Sequence, residues 1–386
     1  MHVLYRLSSF FLVAVFVVVI LTPLLITTFG KGAEFSVAEN RNLASLPALD
    51  RAAGEIKSIP KLIDQYYADH FGLRAWFTKF YKRAKYSIGD STSLIYTIGK
   101  DGWLFLGSIR GDIAGYQDPM GDARNATLYS PKELKEVGDY LTALKQWLND
   151  QNIEYVLVIA PNKHTIYSEY LPDYIDKVND RSAADQLVGY LKAYTNVSVV
   201  DLRGPLLREK GEQLLYYKTG THWNFRGANI AQYEIMEVIE GMFPTRISPE
   251  LYGDSIFRLE VSTDVGLEHM AGIKVEPPHY SPYPDFEGDG KVVKEGKRWN
   301  FDRGSLPTNV NHGQELNAVI LRDSFFVALE PYFNRKFKSS TQITAQSSHA
   351  VLVGVIREKK PDIIIEEWAE RILPYVPIDD INFPDL

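Results

Sequence analysis

The chain has 386 residues, 45% of them hydrophobic, and a formal net charge of -7. This length and composition fit one large globular domain with an appendage. The acidic balance argues against a nucleic-acid partner, which would need a basic surface. Cysteine is absent, which excludes a thiol nucleophile, disulfide bonds and cysteine-ligated metal sites.

The N-terminal segment, from Leu7 to Phe29, is continuously apolar or neutral. A helix of about 23 residues is roughly 34 Å long, which is enough to span a bilayer. The residues that follow form a poor cleavage site for a signal peptidase, and Arg6 favours an N-terminus on the cytoplasmic side. We therefore expect residues 1–29 to form a single-pass signal anchor in the inner (cytoplasmic) membrane. The rest of the chain would then lie on the periplasmic or extracytoplasmic side, and a cleaved signal peptide is the alternative.

Residues 30–98 are predicted to form a linker and a helical docking segment. The stretch 62–86 has a helical pattern in which eight aromatic residues are interleaved with Lys and Arg. Such a helix either packs on the main domain or rests near lipid headgroups, where aromatic and basic side chains are common.

Residues 99–386 alternate apolar strands with helices. The pattern predicts strands at 153–160, 197–201, 318–321 and 363–365, a helix beginning at the capping box Ser130–Glu133, and another helix over 183–194. Strands that are apolar on both faces indicate a parallel sheet covered on both sides, so the expected fold is a three-layer α/β/α sandwich. Ligands bind such sheets at the carboxyl ends of the strands.

The stretch 247–314 interrupts this alternation and is predicted to be an irregular insertion. Its aromatic residues either stack on sugar rings or form a small core of their own. They include Tyr252, Tyr280, Tyr283, Phe286 and Trp299.

Ser324 stands where this architecture places an active site. The strand at 318–321 ends in Arg322 and Asp323, and Ser324 then opens a predicted helix over 325–337. A serine at this turn lies at the carboxyl edge of the sheet, and the helix start favours negative charge on a reaction intermediate. The alternative is that Asp323 or Ser324 only caps the helix.

His222 precedes a second helix, predicted from about Ala228 to Met242, and is flanked by Trp223 and Asn224. Histidine is the most frequent general base for a serine nucleophile. An isolated histidine is usually satisfied by packing. The combination of a serine after a strand and a histidine before a helix nevertheless favours a nucleophile–base pair.

Several motifs together resemble the alginate O-acetyltransferase family, whose members have an SGNH-hydrolase-like domain. They are R-D-S-F around Ser324, T-H-W-N around His222, G-K-D-G-W-L-F at 99–105, P-N-K at 161–163 and P-D-I-I-I-E-E at 361–367. The resemblance implies acetylation of an extracytoplasmic polysaccharide, with the acetyl group delivered across the membrane by a multi-spanning partner acyltransferase. The chain has no H-E-x-x-H, P-loop or dinucleotide motif, so we expect no metal and no cofactor. Two G-D-S triplets, 89–91 and 253–255, match the spelling of SGNH enzymes but neither follows an apolar strand.

Gly220 departs from the family pattern, which has Asp two positions before the catalytic histidine. Loss of the correct imidazole tautomer in a triad lowers the rate by about 10⁴. Three hypotheses remain open: a backbone carbonyl orients His222 in a Ser–His dyad, Asp201 supplies the acid, or the site is impaired. The last would make the chain a polysaccharide-binding or assembly subunit, and transfer to water would make it a carbohydrate esterase.

Six further residues are predicted to support the site. Lys163 is expected at its rim, where it would bind a carboxylated sugar or support the oxyanion, unless it is a solvated loop lysine. Asn162 is expected as an oxyanion donor. The other predicted supporting residues are Arg322, Asp323, Trp223 and Asn224.

Overall fold

The structure is a computed structural model that describes residues 2–29, 34–36, 41–47, 59–91, 94–108, 118–211, 213–261, 266–271, 273, 280–286, 293–295, 308–345 and 348–376. The chain divides into two compact units, residues 1–92 with 266–275, and residues 93–265 with 276–386. Most of the predicted linker between residues 30 and 58 lies outside the described residues.

The described helices and strands are numbered in chain order. The helices are α1 (His2–Phe29), α2 (Ile59–His70), α3 (Arg74–Ser87), α4 (Pro119–Ala123), α5 (Pro131–Asn149), α6 (Lys163–Ile166), α7 (Ala183–Tyr194), α8 (Arg203–Glu209), α9 (Phe225–Met242), α10 (Leu267–Ala271), α11 (Glu330–Lys336) and α12 (His349–Lys359). The strands are β1 (Phe35–Ser36), β2 (Arg41–Asn42), β3 (Tyr96–Ile98), β4 (Leu104–Leu106), β5 (Glu154–Ala160), β6 (Ser198–Asp201), β7 (Phe257–Val261), β8 (Tyr280–Pro284), β9 (Val293–Glu295), β10 (Thr308–Val310), β11 (Asn317–Arg322), β12 (Ser339–Thr344) and β13 (Ile363–Ala369).

The first unit contains α1, which confirms a long N-terminal apolar helix. Its stretch Phe10–Thr27 is long and apolar enough to cross a membrane, although a signal sequence would meet the same criterion. In α2 no residue is buried, and in α3 only Lys82 is.

The second unit is organised around a seven-stranded sheet with the order β6-β5-β13-β11-β12-β10-β9. The strands β6, β5, β13, β11 and β12 are mutually parallel, and β10 and β9 extend one edge in antiparallel fashion. The predicted parallel sheet is confirmed, whereas its antiparallel extension was not predicted. The sequences of β9 and β10, VKE and TNV, are too short and polar to be recognised as strands.

Two apolar layers cover the sheet. Val156, Val158 and Ala160 of β5 belong to the core on one side, with α8, α9 and α11, and the alternate residues belong to the core on the other side, with α5, α7 and α12. Side chains alternate between the faces of a strand, so a central strand that is apolar throughout requires cover on both sides. The predicted three-layer α/β/α fold is therefore confirmed.

The helix starts also follow from local sequence. Ser130 and Glu133 form the predicted capping box at the start of α5, and α7 has the predicted bounds. The predicted helix over 325–337 is wrong in one respect: the chain forms a 3-10 turn, Ser324–Ala328, and then the separate helix α11. Pro331 explains this break, because it has no N–H for the carbonyl of Val327 and its ring would clash inside a continuous helix.

The insertion at 247–314 uses its described aromatic residues for packing. The rings of Tyr252 and Phe286 lie 5.8 and 5.6 Å from the ring of Tyr332, and Tyr283 lies 4.8 Å from Phe225. These contacts support a small core rather than a sugar-stacking surface. The side chain of Tyr280 and all of Trp299 lie outside the described part of the chain.

Candidate active site

Ser324 and His222 meet at the carboxyl end of β11. The Nε2 atom of His222 lies 2.8 Å from the Oγ atom of Ser324, although 102 residues separate them in the chain. Ser324 is exposed and His222 is half-buried. This distance is a hydrogen bond between a hydroxyl and an imidazole, which is the geometry of a nucleophile and its general base.

The turn that carries Ser324 is held by Asp323. Its Oδ1 accepts the N–H of Phe325 at 2.7 Å, and its Oδ2 accepts the N–H of Ala369 at 3.2 Å. Its own N–H donates to Oε2 of Glu367 at 3.0 Å. Asp323 therefore supports the site as a cap that joins β11 to the end of β13.

Glu367 lies beneath this turn and was not singled out as a site residue in the sequence. It is 1% exposed. Burial and the negative charge of Asp323 raise the pKa of Glu367 well above its usual range, which favours the neutral form of its carboxyl. The available signal was an acidic pair at the end of an apolar strand. Arg322 is half-buried beside it, donates to the carbonyl of Asp323 at 3.1 Å, and has its pKa lowered by burial.

Trp223 links the histidine loop to the nucleophile turn. Its indole Nε1–H donates to the carbonyl of Phe325 at 2.9 Å, and the indole is fully buried. The ring of Phe325 in turn meets the ring of His222 edge-on at 4.9 Å. The residue after the base is thus bonded to the residue after the nucleophile, which fixes the distance between the two side chains.

Asn224 begins α9 as its N-cap. Its Oδ1 accepts the N–H groups of Arg226 and Gly227, and its Nδ2 donates to the carbonyl of Leu214 at 2.6 Å. Like Trp223, it holds the loop and does not face a substrate. These contacts are consistent with a supporting role for both residues, but they do not place either side chain where it would touch a substrate.

Lys163 corrects the prediction of a residue at the rim of the site. It is 2% exposed, and its Nζ donates to the carbonyl oxygens of Leu104, Tyr217, Lys218 and Gly220. A buried ammonium must donate to acceptors that replace water, and here the loop leading to His222 supplies three of the four. The rings of Trp103 and Phe105 lie 5.6 and 5.1 Å from the ammonium. Lys163 is therefore placed to shape the histidine loop from inside.

Gly220 stands where the family pattern has the Asp behind the imidazole, and Thr221 is the residue that contacts the imidazole instead. The carbonyl of Gly220 points to Lys163, and Oγ1 of Thr221 lies 3.1 Å from Nδ1 of His222. A hydroxyl that accepts from Nδ1–H leaves Nε2 free to accept the Ser324 proton. Thr221 was not singled out in the sequence, because a threonine beside a histidine is not a recognised signal.

Asp201 is not brought to His222. Its carboxylate is held by Arg203 through two hydrogen bonds of 2.9 and 2.8 Å. It ends β6, three strands from β11 in the sheet, which is a separation of about 14 Å at the usual strand spacing. The hypothesis that Asp201 supplies the acid is wrong.

Asn162 is also part of the framework. Its Nδ2 donates to Oδ2 of Asp122 at 2.6 Å, its Oδ1 accepts from Arg371 at 3.2 Å, and its N–H donates to Glu370 at 2.8 Å. Because it is 2% exposed and its amide is engaged, it is not an oxyanion donor in this arrangement. Arg371, a residue missed in the sequence, places its guanidinium 5.2 Å from the ring centre of Phe325 and adds positive charge behind the nucleophile turn.

A cavity of 370 Å³ lies at the carboxyl ends of β5 and β6, and neither Ser324 nor His222 lines it. Its walls carry Asp122, Asp185, Asp201, Arg203 and Glu370. Burial raises the pKa of Asp122 and of Glu370, and Arg203 binds Asp185 and Asp201. Within the described ranges, no group of three or more His, Asp or Glu residues is arranged to hold a metal ion.

Comparison with known proteins shows which family the chain is similar to. Residues 96–274 match the family model described as the SGNH hydrolase-like domain of the acetyltransferase AlgX. The chain is 24% identical over 203 residues to the probable alginate O-acetylase AlgJ of Pseudomonas fluorescens, and 23% identical over 224 residues to that of Pseudomonas aeruginosa. These matches support a relationship to the AlgJ/AlgX-type acetyltransferases, although the family model covers less than half of the chain. The region matched by the family model contains His222 and ends before Ser324.

The coverage of these relatives is partial. The matches span 50% and 54% of this chain, and 45% and 52% of the two AlgJ proteins, or about half of their length. The solved structure of Bacillus cereus PatB1 with a sulfonyl adduct is similar in fold, with a TM-score of 0.51 and 16% identity, over 73% of this chain and 98% of that one. The SGNH-like architecture expected for the family is therefore confirmed.

Proposed function

We propose that the chain is an O-acetyltransferase that acetylates hydroxyl groups of an extracytoplasmic polysaccharide through a serine acetyl-enzyme. The observation that carries the proposal is the 2.8 Å contact between Ser324 Oγ and His222 Nε2 at an exposed edge of the sheet. The AlgJ relatives are named as probable alginate O-acetylases, which supports a polysaccharide as the substrate.

The mechanism follows from these two side chains. His222 Nε2 takes the Ser324 proton as Oγ attacks the carbonyl of an acetyl donor, and the tetrahedral intermediate collapses when the leaving group departs with that proton. A sugar hydroxyl then gives its proton to Nε2 and attacks the acetyl-enzyme, and Ser324 leaves and recovers a proton. The N–H of Ser324 begins the 3-10 turn, where a helix start leaves its N–H groups without an intrahelical acceptor, so it is our candidate donor to the oxyanion.

The proposed location follows from α1. If α1 is retained, it anchors the chain in the inner membrane as a single pass, with the catalytic unit on the periplasmic side. A multi-spanning membrane acyltransferase would then supply the acetyl group at that surface. The apolar stretch Phe10–Thr27 supports the anchor.

The test uses the full chain with an activated acetyl ester as donor and an oligosaccharide as acceptor. Wild-type protein is expected to acetylate the oligosaccharide faster than it hydrolyses the donor, and Ser324→Ala and His222→Asn are expected to lose both activities. Predominant hydrolysis by the wild type would instead identify a carbohydrate esterase.

Gly220 favours a second candidate, a polysaccharide-binding or assembly subunit with an impaired site. In cells, that candidate requires polymer acetylation to survive Ser324→Ala and to be lost on deletion of the chain. The transferase proposal requires both changes to abolish it.

A further inference from the structure

The turn between α2 and α3 is fastened to the C-terminal end of α1. The N–H of Gly72 donates to Oγ1 of Thr27 at 2.9 Å, and that hydroxyl donates to the carbonyl of Pro23 at 2.8 Å. A Cβ atom at Gly72 would lie 2.6 Å from Cβ of Ile26 and 2.8 Å from the carbonyl of Pro23. Only glycine fits this approach, so the turn lies where the apolar stretch Phe10–Thr27 ends.

The outward face of α3 is aromatic. Trp76, Phe77, Phe80 and Tyr81 are 60%, 49%, 62% and 56% exposed. The rings of Trp76 and Phe80 stack at 5.8 Å with an angle of 8° between them, and Phe77 meets Trp76 edge-on at 5.0 Å. We refer to these four residues as the aromatic face.

The inward side of α3 is polar. Lys82 is 9% exposed and its Nζ donates to the carbonyl of Met270 at 2.7 Å, within the same unit. A helix on the surface of a soluble protein normally buries its apolar side and exposes its charges. Here a lysine points inward and the aromatic rings point outward, which indicates that something other than water covers them.

The charge of α3 also differs from that of the chain. Its sequence, RAWFTKFYKRAKYS, has five basic residues and no acidic one, in a chain of net charge -7. Lys79 and Arg83 are exposed beside the aromatic face. Basic residues flanking aromatic rings complement the anionic phosphates and the apolar boundary of a lipid surface.

We propose that α3 lies on the surface of the membrane that holds α1, with its aromatic face in the headgroup region. The inference rests on the proposed anchor, because α1 sets the level of the membrane surface near Thr27. Phe80 is six residues from Arg74, the first residue of α3 and two residues after Gly72, which is a rise of about 9 Å along the helix. The aromatic face therefore lies close to that level. Trp and Tyr are enriched at this interface, where the rings meet both apolar chains and polar headgroups.

The absence of cysteine from the sequence permits a direct test with single cysteines that carry a nitroxide label. The full chain is reconstituted in vesicles of phosphatidylcholine and phosphatidylglycerol, with the label at Phe80→Cys, at Val17→Cys in the middle of α1, or at Tyr194→Cys. Tyr194 is the matched aqueous control, an aromatic residue that is 75% exposed in the second unit. Collision of each label with oxygen, which is concentrated in lipid, and with a water-soluble nickel chelate gives its depth.

We expect the ratio of oxygen to chelate collisions to be highest at Val17 and lowest at Tyr194. At Phe80 the ratio should be several-fold higher than at the Tyr194 control. A ratio at Phe80 equal to that at Tyr194 would place the aromatic face in water and overturn the proposal. Exclusion of both reagents at Phe80 would show that protein, such as a second copy of this chain, covers it, and would also overturn it. A low ratio at Val17 would disprove the anchor and the inference together, whereas acetyl transfer by the same variants in detergent reports separately on the proposed chemistry.

Discussion

Replacing Lys163 with methionine removes the donor that four backbone carbonyls share, those of Leu104, Tyr217, Lys218 and Gly220. A buried acceptor left without a donor costs about 1–3 kcal/mol. The variant no longer buries an ammonium, which offsets part of that loss. We expect a net fall of about 1–3 kcal/mol in the free energy of unfolding, because no charge is left unpaired and the relief of the buried ammonium offsets much of the cost of the unpaired carbonyls.

The same change should alter catalysis, because three of these carbonyls belong to the loop that presents His222. A displacement of about 1 Å at a catalytic group can lower the rate about 10²-fold. Urea unfolding gives the stability of Lys163→Met, and kcat and KM for acetyl transfer are measured where the variant is folded. We expect kcat to fall with little change in KM, since Lys163 contacts the loop and not the substrate.

Lys145→Met is the matched control. Lys145 is also a buried lysine, 9% exposed, and its Nζ donates to the carbonyl of Asn196 at 2.6 Å beside β6. Its loss should lower stability and leave kcat unchanged in the folded protein. If Lys163→Met retains the wild-type kcat, or if Lys145→Met loses as much, the assignment of Lys163 to the histidine loop is refuted.

Three further changes test the site. Thr221→Val removes the hydroxyl at Nδ1 of His222 and should lower kcat about tenfold, a loss near 1.4 kcal/mol within the range of one hydrogen bond. The control Thr221→Ser keeps the hydroxyl and should retain most activity. Equal rates for the two variants would exclude an orienting role for Thr221. Burial and Asp323 raise the pKa of Glu367 above its ordinary value, so the neutral form is favoured in the folded state. This contribution to stability is lost as pH rises from about 4.5, the ordinary pKa of a glutamate, towards the raised pKa. Glu367→Gln should therefore gain stability relative to wild type as pH rises from about 4.5 to neutrality in urea unfolding, and a difference independent of pH would contradict the raised pKa. Trp223→Phe leaves the carbonyl of Phe325 without the indole donor and should cost about 1–3 kcal/mol in thermal or urea unfolding, with a lower kcat; an unchanged kcat would show that this bond does not set the Ser324–His222 distance.

The sheet could be predicted because its signals are local. Apolar runs such as 153–160 and 363–365 are buried on both faces of the sheet, and the capping box at Ser130 marks the start of α5. Ser324 and His222 could be paired because parallel strands bring their carboxyl ends to one edge. Each of these inferences needs only a short stretch of sequence and a rule of topology.

The residues that hold the site could not be assigned in this way. Lys163 looks like a loop lysine in the sequence, because its acceptors come from carbonyl groups 54 to 59 residues away. Backbone carbonyls have no sequence signature, so a buried ammonium that binds them is not visible before folding. Asp201 and Asn162 were misassigned for a related reason: their partners Arg203, Asp122 and Arg371 reach them only in the folded chain.

Trapping an acetyl-enzyme tests the nucleophile most directly. The full chain is mixed with an activated acetyl ester, quenched in acid and digested, and the peptide containing Ser324 is examined by mass spectrometry. The account predicts one acetyl group on Ser324 in the wild type, much slower formation in His222→Asn, and none in Ser324→Ala. Acetylation at another residue that persists in Ser324→Ala, together with unchanged transfer to the oligosaccharide, would contradict it.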